Sequence, residues 1–186
     1  MKKGNQSNQL ARECIVTALI QLAEQKPFSS ITISELTERA GVSRMTYYRN
    51  YTSKEEVFQT YMSEIMAAYR QDVSHLKHTE MYGEYENVLH CFRYFVKYKD
   101  FIRCIMKIGM ERLLLDALGS YLMETYYVDG EMSVEKYYML RAYEGALLNV
   151  YLGWLEDGEK EPVEVLAELL CRCVGAAQHQ RQDDVR

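Results

Sequence analysis

The sequence has little of what strands, disulfides and membrane spans require. It contains two prolines, Pro27 and Pro162, and no run of alternating β-branched residues reaches the length of a strand. Its five cysteines are odd in number and include no CxxC pair, which argues against a disulfide framework or a zinc site. Its longest apolar runs are interrupted and fall short of the ~18 continuous apolar residues that a membrane span needs. No apolar block follows the two N-terminal lysines, so we expect a reduced cytoplasmic protein without a secretory signal.

Short motifs of common catalytic sites are also missing. There is no glycine-rich phosphate loop, no GxSxG and no HExxH in the chain. His75 and His78 lie three residues apart, but no third ligand with suitable spacing is evident. We therefore expect no enzyme activity, no cofactor and no metal.

Charge is distributed unevenly along the chain. Up to Lys54 there are eight Lys and Arg against four Glu, whereas the remainder has 14 Lys and Arg against 23 Asp and Glu. A basic N-terminal segment followed by an acidic remainder indicates a polyanionic partner for the N-terminal segment alone. If the segment is extended to Glu56, its net charge falls from +4 to +2. The charge distribution alone is therefore a moderate signal, and the interpretation also depends on the motifs.

Apolar residues recur at spacings of three and four throughout, which predicts an all-α chain of about nine helices. A first helix is expected over residues 9–25, before Pro27. Thr32 and Glu35 form a capping box at the start of a second helix, and Gly41 suits the left-handed conformation that ends it. Ser43 then caps a third helix that runs to about residue 50.

Two short helices joined through AGVS have the spacing of a helix-turn-helix, in which the second helix enters the DNA major groove. The stretch SRMTYYRN would be that recognition helix, because its guanidinium and hydroxyl groups suit phosphates and guanine edges. Tyr47 and Tyr51 lie four apart, so we expect them to pack inward while Tyr48 and Arg49 face elsewhere. Bundles that never bind DNA can contain similar helices, but the caps, the turn glycine and the charge favour DNA binding. Ser53 with Glu56 forms another capping box, which opens a long fourth helix.

The stretch ITISELTERAGVSRMTYYRNYTSKEEVF resembles the DNA-binding signature of the tetracycline-repressor (TetR) family, whose usual form is close to ITxxxIAxxAGVSxGTxYxHFxxKExL. The resemblance implies phosphate and base contacts at matching positions and a core position for Tyr47. Met45 replaces the common Gly, and Asn50 replaces the common His, which puts the phosphate contact at that position in question. The predicted DNA-binding residues are Thr32, Ser43, Arg44, Met45, Thr46, Tyr48, Arg49, Asn50 and Lys54.

The predicted domains are a helix-turn-helix domain over residues 1–52 and a helical ligand-binding and dimerisation domain over residues 53–186. Within the second, Asp100 is expected to cap the sixth helix, and Pro162 is expected in the first turn of the ninth. The stretch YVDGEMS is expected to break the chain before the eighth helix. YFVKYKDFIRCIM and YEGALLNVYLGWLEDGEKEPVEVLAELL resemble a Firmicutes-type regulatory domain found in relatives of a dihydroxyacetone-kinase operon regulator.

The last two helices carry the predicted dimer interface. Small residues on one side of the eighth helix permit close approach, and the ninth helix adds an apolar stripe. The alternative is that both stripes are internal core, but the resemblance favours dimerisation because the family dimerises through these helices. A dimer could read a palindrome with half-sites ~34 Å or more apart. The predicted interface residues are Ala142, Ala146, Asn149, Gly153, Leu166, Leu170 and Val174.

An apolar ligand pocket is predicted in the middle helices, with ordinary core packing as the alternative. Its candidate residues are Tyr69, Phe92, Phe95, Phe101, Cys104, Met106, Met110 and Tyr143. The resemblance implies a homodimeric regulator that binds double-stranded operator DNA, and we expect a repressor that a small-molecule effector releases. The alternatives are a co-regulator or activator controlled by a protein partner, and a helical interaction protein that no longer binds DNA.

Overall fold

The computed structural model describes residues 2–75, 83–127 and 133–183, and all regular structure within them is helical. Two 3-10 turns, Phe28–Ser30 and Val73–His75, accompany nine α-helices in these ranges. The predicted all-α fold with about nine helices is confirmed. The helices are α1 (Lys2–Gln25), α2 (Ile33–Ala40), α3 (Arg44–Asn50), α4 (Lys54–Asp72), α5 (Tyr85–Val96), α6 (Lys99–Lys107), α7 (Glu111–Tyr126), α8 (Val134–Glu156) and α9 (Val163–Asp183).

The chain divides into two compact units. The first comprises Met1–Ala67 and Asp100–Leu113, and the second comprises Ala68–Lys99 and Leu114–Arg186. The first unit therefore contains the three N-terminal helices together with most of α4 and α6. The functional boundary after residue 52 stays a prediction, because this division rests on compactness alone.

An apolar core holds the short helices of the first unit in place. Helix α1 contacts both α2 and α3. A helix as short as α3 is not stable alone in water, so it depends on packing. Burial of one large apolar side chain contributes about 1.5–3 kcal/mol, and the fully buried side chains described in this unit include Ile15, Leu19, Leu36, Tyr47, Val57, Phe58 and Ile105.

The ends of α2 and α3 follow the predicted capping residues. The Thr32 hydroxyl accepts a hydrogen bond from the Glu35 amide at 3.2 Å, and the Glu35 carboxylate accepts one from the Thr32 amide at 3.0 Å. Gly41 ends α2 in the left-handed conformation, with φ of 65°. Ser43 caps α3, since its hydroxyl accepts from the Thr46 amide at 3.0 Å. The capping box, the glycine stop and the serine cap are all confirmed.

The start of α4 differs from the predicted capping box in one bond. The Ser53 hydroxyl accepts from the Glu56 amide at 3.1 Å, as expected. The Glu56 carboxylate, however, accepts from the amide and the hydroxyl of Thr52, both at 2.5 Å. Thr52 offers two donors to one carboxylate, which lowers the pKa of Glu56.

Other helix starts also differ from the prediction. Helix α1 begins at Lys2 rather than at Gln9, because its polar first turns continue the helix without adding to the apolar stripe. Helix α6 begins at Lys99, so Asp100 lies in its first turn, where an acidic residue complements the helix dipole, and not at the cap. Pro162 stands just before α9 rather than inside its first turn. Most of YVDGEMS, residues 128–132, lies outside the described residues.

The second unit is built around α9, which contacts α5 and α8. Its core consists of aliphatic and aromatic side chains that are at most 8% exposed, including Val88, Leu89, Phe92, Leu118, Leu122, Leu140, Leu147, Leu155, Leu166 and Leu170. One charged side chain, Glu144, is buried to the same degree at 1% exposure. Its Oε2 accepts a hydrogen bond from Nη1 of Arg141 at 2.7 Å.

Candidate nucleic-acid interface

Helix α3 has one anchored face and one exposed face. Tyr47 is fully buried and Tyr51 is 3% exposed, with their ring centroids 5.8 Å apart. Burial raises the pKa of Tyr47 to about 12 because the phenolate would lose its hydration. Met45 and Tyr48 are 82% and 61% exposed. The predicted division between inward and outward tyrosines is therefore confirmed.

The first turn of α3 presents two hydroxyl groups side by side. Ser43 is exposed and Thr46 is half-buried, and their hydroxyl oxygens lie 2.9 Å apart. The Ser43 oxygen accepts from the Thr46 amide, and one of the two hydroxyls donates to the other, so one hydroxyl hydrogen of the pair remains to turn toward a phosphate oxygen. The phosphate contacts that the family resemblance implies for Ser43 and Thr46 stay a prediction.

Arg44 connects the two helices of the helix-turn-helix. Its guanidinium donates a hydrogen bond to the Ser34 hydroxyl on α2. A guanidinium has five N–H donors, so this bond leaves donors for a base edge or a phosphate. Arg44 is exposed, and the contact with Ser34 orients it at the surface.

Thr32 lies in a small polar cluster at the start of α2. Its hydroxyl donates to the Glu35 carboxylate at 2.8 Å, and the same carboxylate accepts from the Lys26 ammonium at 2.5 Å. The bonds from Lys26 and Thr32 lower the pKa of Glu35 to about 2. Glu35 is thus anionic and neutralised locally by Lys26, which limits its repulsion of a nearby phosphate.

Lys54 makes contacts that the sequence did not indicate. Its ammonium donates to the backbone oxygens of Phe28 and Ile31 at 2.6 and 2.7 Å, and it lies 4.8 Å from the centroid of the Phe28 ring. An ammonium has three donors, so one hydrogen remains for a phosphate. Lys54 therefore ties the start of α4 to the chain before α2 in addition to its predicted DNA contact.

Asn8 is a residue that sequence reasoning missed. Its amide nitrogen donates to Oδ1 of Asn50 at 3.0 Å, and its own Oδ1 accepts from Asn50 at 3.1 Å and from Arg49 at 3.2 Å. Asn50 also donates to the Thr46 backbone oxygen at 2.8 Å. Asn8 lies before the apolar stripe of α1 and outside the helix-turn-helix motif, so neither pattern singles it out.

The second unit contains a small cavity of about 20 Å³. That volume holds about one water molecule. Within the described part of the chain, the buried amide nitrogen of Asn87 at this cavity has no hydrogen-bond partner. Burial raises the pKa of the Cys91 thiol to about 12 and also raises the pKa of Tyr69 and Tyr143. The cavity is lined by Tyr69, Val73, Asn87, Cys91, Leu118, Tyr121, Leu122, Tyr126, Tyr143 and Leu147.

The predicted ligand residues do not all belong to this cavity. Tyr69 and Tyr143 line it. Phe95 packs on Tyr69, with 5.2 Å between ring centroids, and Phe92 stacks on Tyr151 at 5.8 Å. The other four candidates, which lie in the first unit and do not line this cavity, are Phe101, Cys104, Met106 and Met110. The periodic apolar pattern identified them without indicating which unit each one stabilises.

The predicted dimer residues fall into two groups. Leu166 and Leu170 are 5% and 2% exposed, so they belong to the core of their own chain. They can hold the interface residues in position but offer little surface for direct contact with a partner. Ala142 and Asn149 are exposed, and Ala146, Gly153 and Val174 are half-buried. A methyl group added at Gly145 or Gly153 would meet no atom within 4 Å. Nearby positions on these helices add exposed apolar side chains, namely Tyr138, Val165 and Leu169.

The fold and the exposed face of α3 define a helix-turn-helix DNA-binding protein. The family model described as "Bacterial regulatory proteins, tetR family" matches residues 15–61, and the model "Transcriptional regulator C-terminal region" matches residues 84–175. The chain belongs to the TetR family of transcriptional regulators. No helix among the described residues is long and apolar enough to cross a membrane.

Individual relatives agree with this assignment. A 50-residue stretch is 40% identical to the HTH-type transcriptional regulator YxbF of Bacillus subtilis (strain 168), and it covers 26% of this chain and 13% of that protein. The structure of the dihydroxyacetone kinase operon activator DhaS has a TM-score of 0.61 at 19% identity, with 90% of this chain and 95% of that chain covered. The structure of FadR from Bacillus subtilis in complex with stearoyl-CoA has a TM-score of 0.57 at 15% identity, with 87% and 96% covered. At these identities the two structures show a shared fold, and these relatives are regulators rather than enzymes.

Proposed function

We propose that this chain acts in the cytoplasm as a homodimeric, sequence-specific repressor that a small-molecule effector releases from a palindromic operator. The observation that carries the proposal is the two-faced recognition helix. Tyr47 and Tyr51 fix α3 from within, so the exposed side chains beside them, Met45 and Tyr48, are held in place for the major groove. Arg44 adds a guanidinium, the group most often used to recognise guanine.

Dimerisation is proposed through the outer faces of α8 and α9. Tyr138, Ala142, Gly145 and Asn149 follow one another at spacings of four, three and four on α8, which places them on one side of the helix. Leu169 on α9 adds an apolar side chain that is 46% exposed. Exposed apolar side chains on these two helices support an interaction site on this side. One short recognition helix also reads too few bases to select a site in a genome. A dimer presents two recognition helices related by a twofold axis and therefore reads twice as many bases.

Control by an effector is the other part of the proposal. An effector can release DNA only if it binds the DNA-free conformation more tightly than the DNA-competent one. FadR was solved with stearoyl-CoA, but the cavity described above in the second unit holds about one water, so a long acyl chain could enter there only if that cavity opened. Control by a protein partner, and activation instead of repression, remain the alternative functions.

Selection of bound genomic fragments tests the proposal. The wild-type protein should enrich fragments that contain a palindrome with half-sites about one or more helical turns apart. A variant carrying both Arg44→Ala and Tyr48→Ala should lose this enrichment, while Arg93→Ala and Tyr127→Ala should retain it. Arg93 and Tyr127 are matched controls because both are exposed and both lie in the second unit. Enrichment of no shared sequence, or of a sequence without twofold symmetry, would contradict the proposal.

A further inference from the structure

The hydrogen bonds of Asn50 leave it no donor for DNA. Its amide nitrogen has two hydrogens, and they are directed to the Asn8 side-chain oxygen and to the Thr46 backbone oxygen at 3.1 and 2.8 Å. Its oxygen accepts from Asn8 at 3.0 Å. The phosphate contact that the family resemblance implies at this position must therefore come from another side chain.

Arg49 is the neighbouring group that can supply this contact. It is exposed in the last turn of α3, and its Nη2 donates to the Asn8 oxygen at 3.2 Å. A guanidinium has five N–H donors, so the bond to Asn8 leaves others free to reach a phosphate. In helix-turn-helix proteins the early residues of the recognition helix contact base edges, so the late position of Arg49 favours the DNA backbone.

We propose that Asn8 is a positioning residue for DNA binding, which holds Arg49 of the recognition helix against a backbone phosphate. This inference rests on the proposed DNA-binding function. Asn8 is suited to the task because α1 packs against α3 and the paired amides of Asn8 and Asn50 fix its side chain. A free arginine side chain loses considerable rotamer freedom when it binds, and a preset orientation reduces that loss.

The test uses fluorescence anisotropy of the full-length protein with a labelled duplex of random sequence, at several salt concentrations. Random DNA is chosen because a phosphate contact acts on any sequence, whereas the proposed function concerns sequence preference. Arg49→Ala should weaken binding about tenfold and reduce the salt slope by about one phosphate contact. Asn8→Ala should weaken binding several-fold, and Gln9→Ala should have no effect. Gln9 is a matched control because its amide bonds only within α1, to Glu13 at 3.1 Å.

The double variant separates positioning from a general structural role. If Asn8 acts through Arg49, Asn8→Ala should cause no further loss of affinity or salt slope in the Arg49→Ala background. An equal loss in both backgrounds would mean that Asn8 only supports the fold, and wild-type affinity for Asn8→Ala would also overturn the proposal. Failure to prefer any sequence in the genomic selection would contradict the proposed function. It would not affect the measurements on random DNA, so the two failures can be distinguished.

Discussion

Gly119 on α7 leaves the space that buried Glu144 of α8 and its partly exposed partner Arg141 occupy. A methyl group added at residue 119 would lie 2.8 Å from Oε1 and 2.9 Å from Cδ of Glu144, and 3.0 Å from Nη1 of Arg141. The shortest of these distances is about 0.6 Å below the 3.4 Å at which ordinary van der Waals contact begins. Glu144 is 1% exposed and bonded to Arg141, so its carboxylate cannot simply turn into water.

We predict that Gly119→Ala destabilises the second unit by about 2 kcal/mol. Replacing glycine with alanine inside a helix normally stabilises by about 1 kcal/mol. Overpacking a core costs about 1–3 kcal/mol, and losing one partner of a buried pair costs about 3–5 kcal/mol. The net cost is therefore about 0–2 kcal/mol if the pair shifts and about 2–4 kcal/mol if it separates.

Urea unfolding followed by tryptophan fluorescence measures this effect. Trp154, the one tryptophan of the sequence, lies on α8 and reports on the second unit. In a Glu144→Ala background the two closest contacts are gone, and the remaining 3.0 Å approach is to the end of the partly exposed Arg141 side chain, which can move. Gly119→Ala should then no longer destabilise and should stabilise by up to about 1 kcal/mol. The reasoning is refuted if Gly119→Ala is as stable as wild type, or if it destabilises both backgrounds equally.

Three further predictions concern Tyr47, Lys54 and Leu169. The buried hydroxyl of Tyr47 has no partner among the described residues, so Tyr47→Phe should raise thermal stability by about 1 kcal/mol and preserve DNA affinity; lower stability would indicate a hidden partner. Lys54→Met removes two charge-assisted hydrogen bonds and should lower the stability of the first unit by about 2 kcal/mol in thermal unfolding. Unchanged stability would mean that these bonds do not stabilise the fold and that DNA contact is the remaining role of Lys54. Leu169→Glu should yield monomers in analytical ultracentrifugation, whereas Leu10→Glu, the same substitution at an exposed leucine on α1, should remain dimeric; a dimeric Leu169→Glu would exclude this face.

Local features of the fold could be predicted because they depend on residues close in sequence. The Thr32 capping box, the Gly41 stop and the Ser43 cap each involve groups within four residues of one another. The inward position of Tyr47 and Tyr51 follows from helical spacing in the same way. These features were sufficient to locate the recognition helix and to identify its exposed face.

Long-range contacts could not be predicted from the same patterns. The bonds from Asn8 to α3 span about 40 residues, and those from Lys54 to Phe28 and Ile31 span more than 20. Periodicity identified Phe101 as apolar but could not place it in the first unit, where it packs on Phe58 at 5.6 Å between ring centroids. The sequence pattern specifies which face is buried, whereas the partner of that face depends on tertiary structure.

The central claim is that the exposed face of α3 reads a specific DNA sequence. The most direct measurement compares binding of the selected operator and of a shuffled duplex by fluorescence anisotropy at one salt concentration, for wild type, Arg44→Ala and Tyr48→Ala. We predict that wild type prefers the operator at least 100-fold, a threshold set below the preference of roughly 10³-fold or more that is typical of specific binding. Each substitution should reduce that preference about tenfold or more without unfolding the protein. Equal affinity of wild type for the two duplexes, or full preference in both variants, would contradict the account.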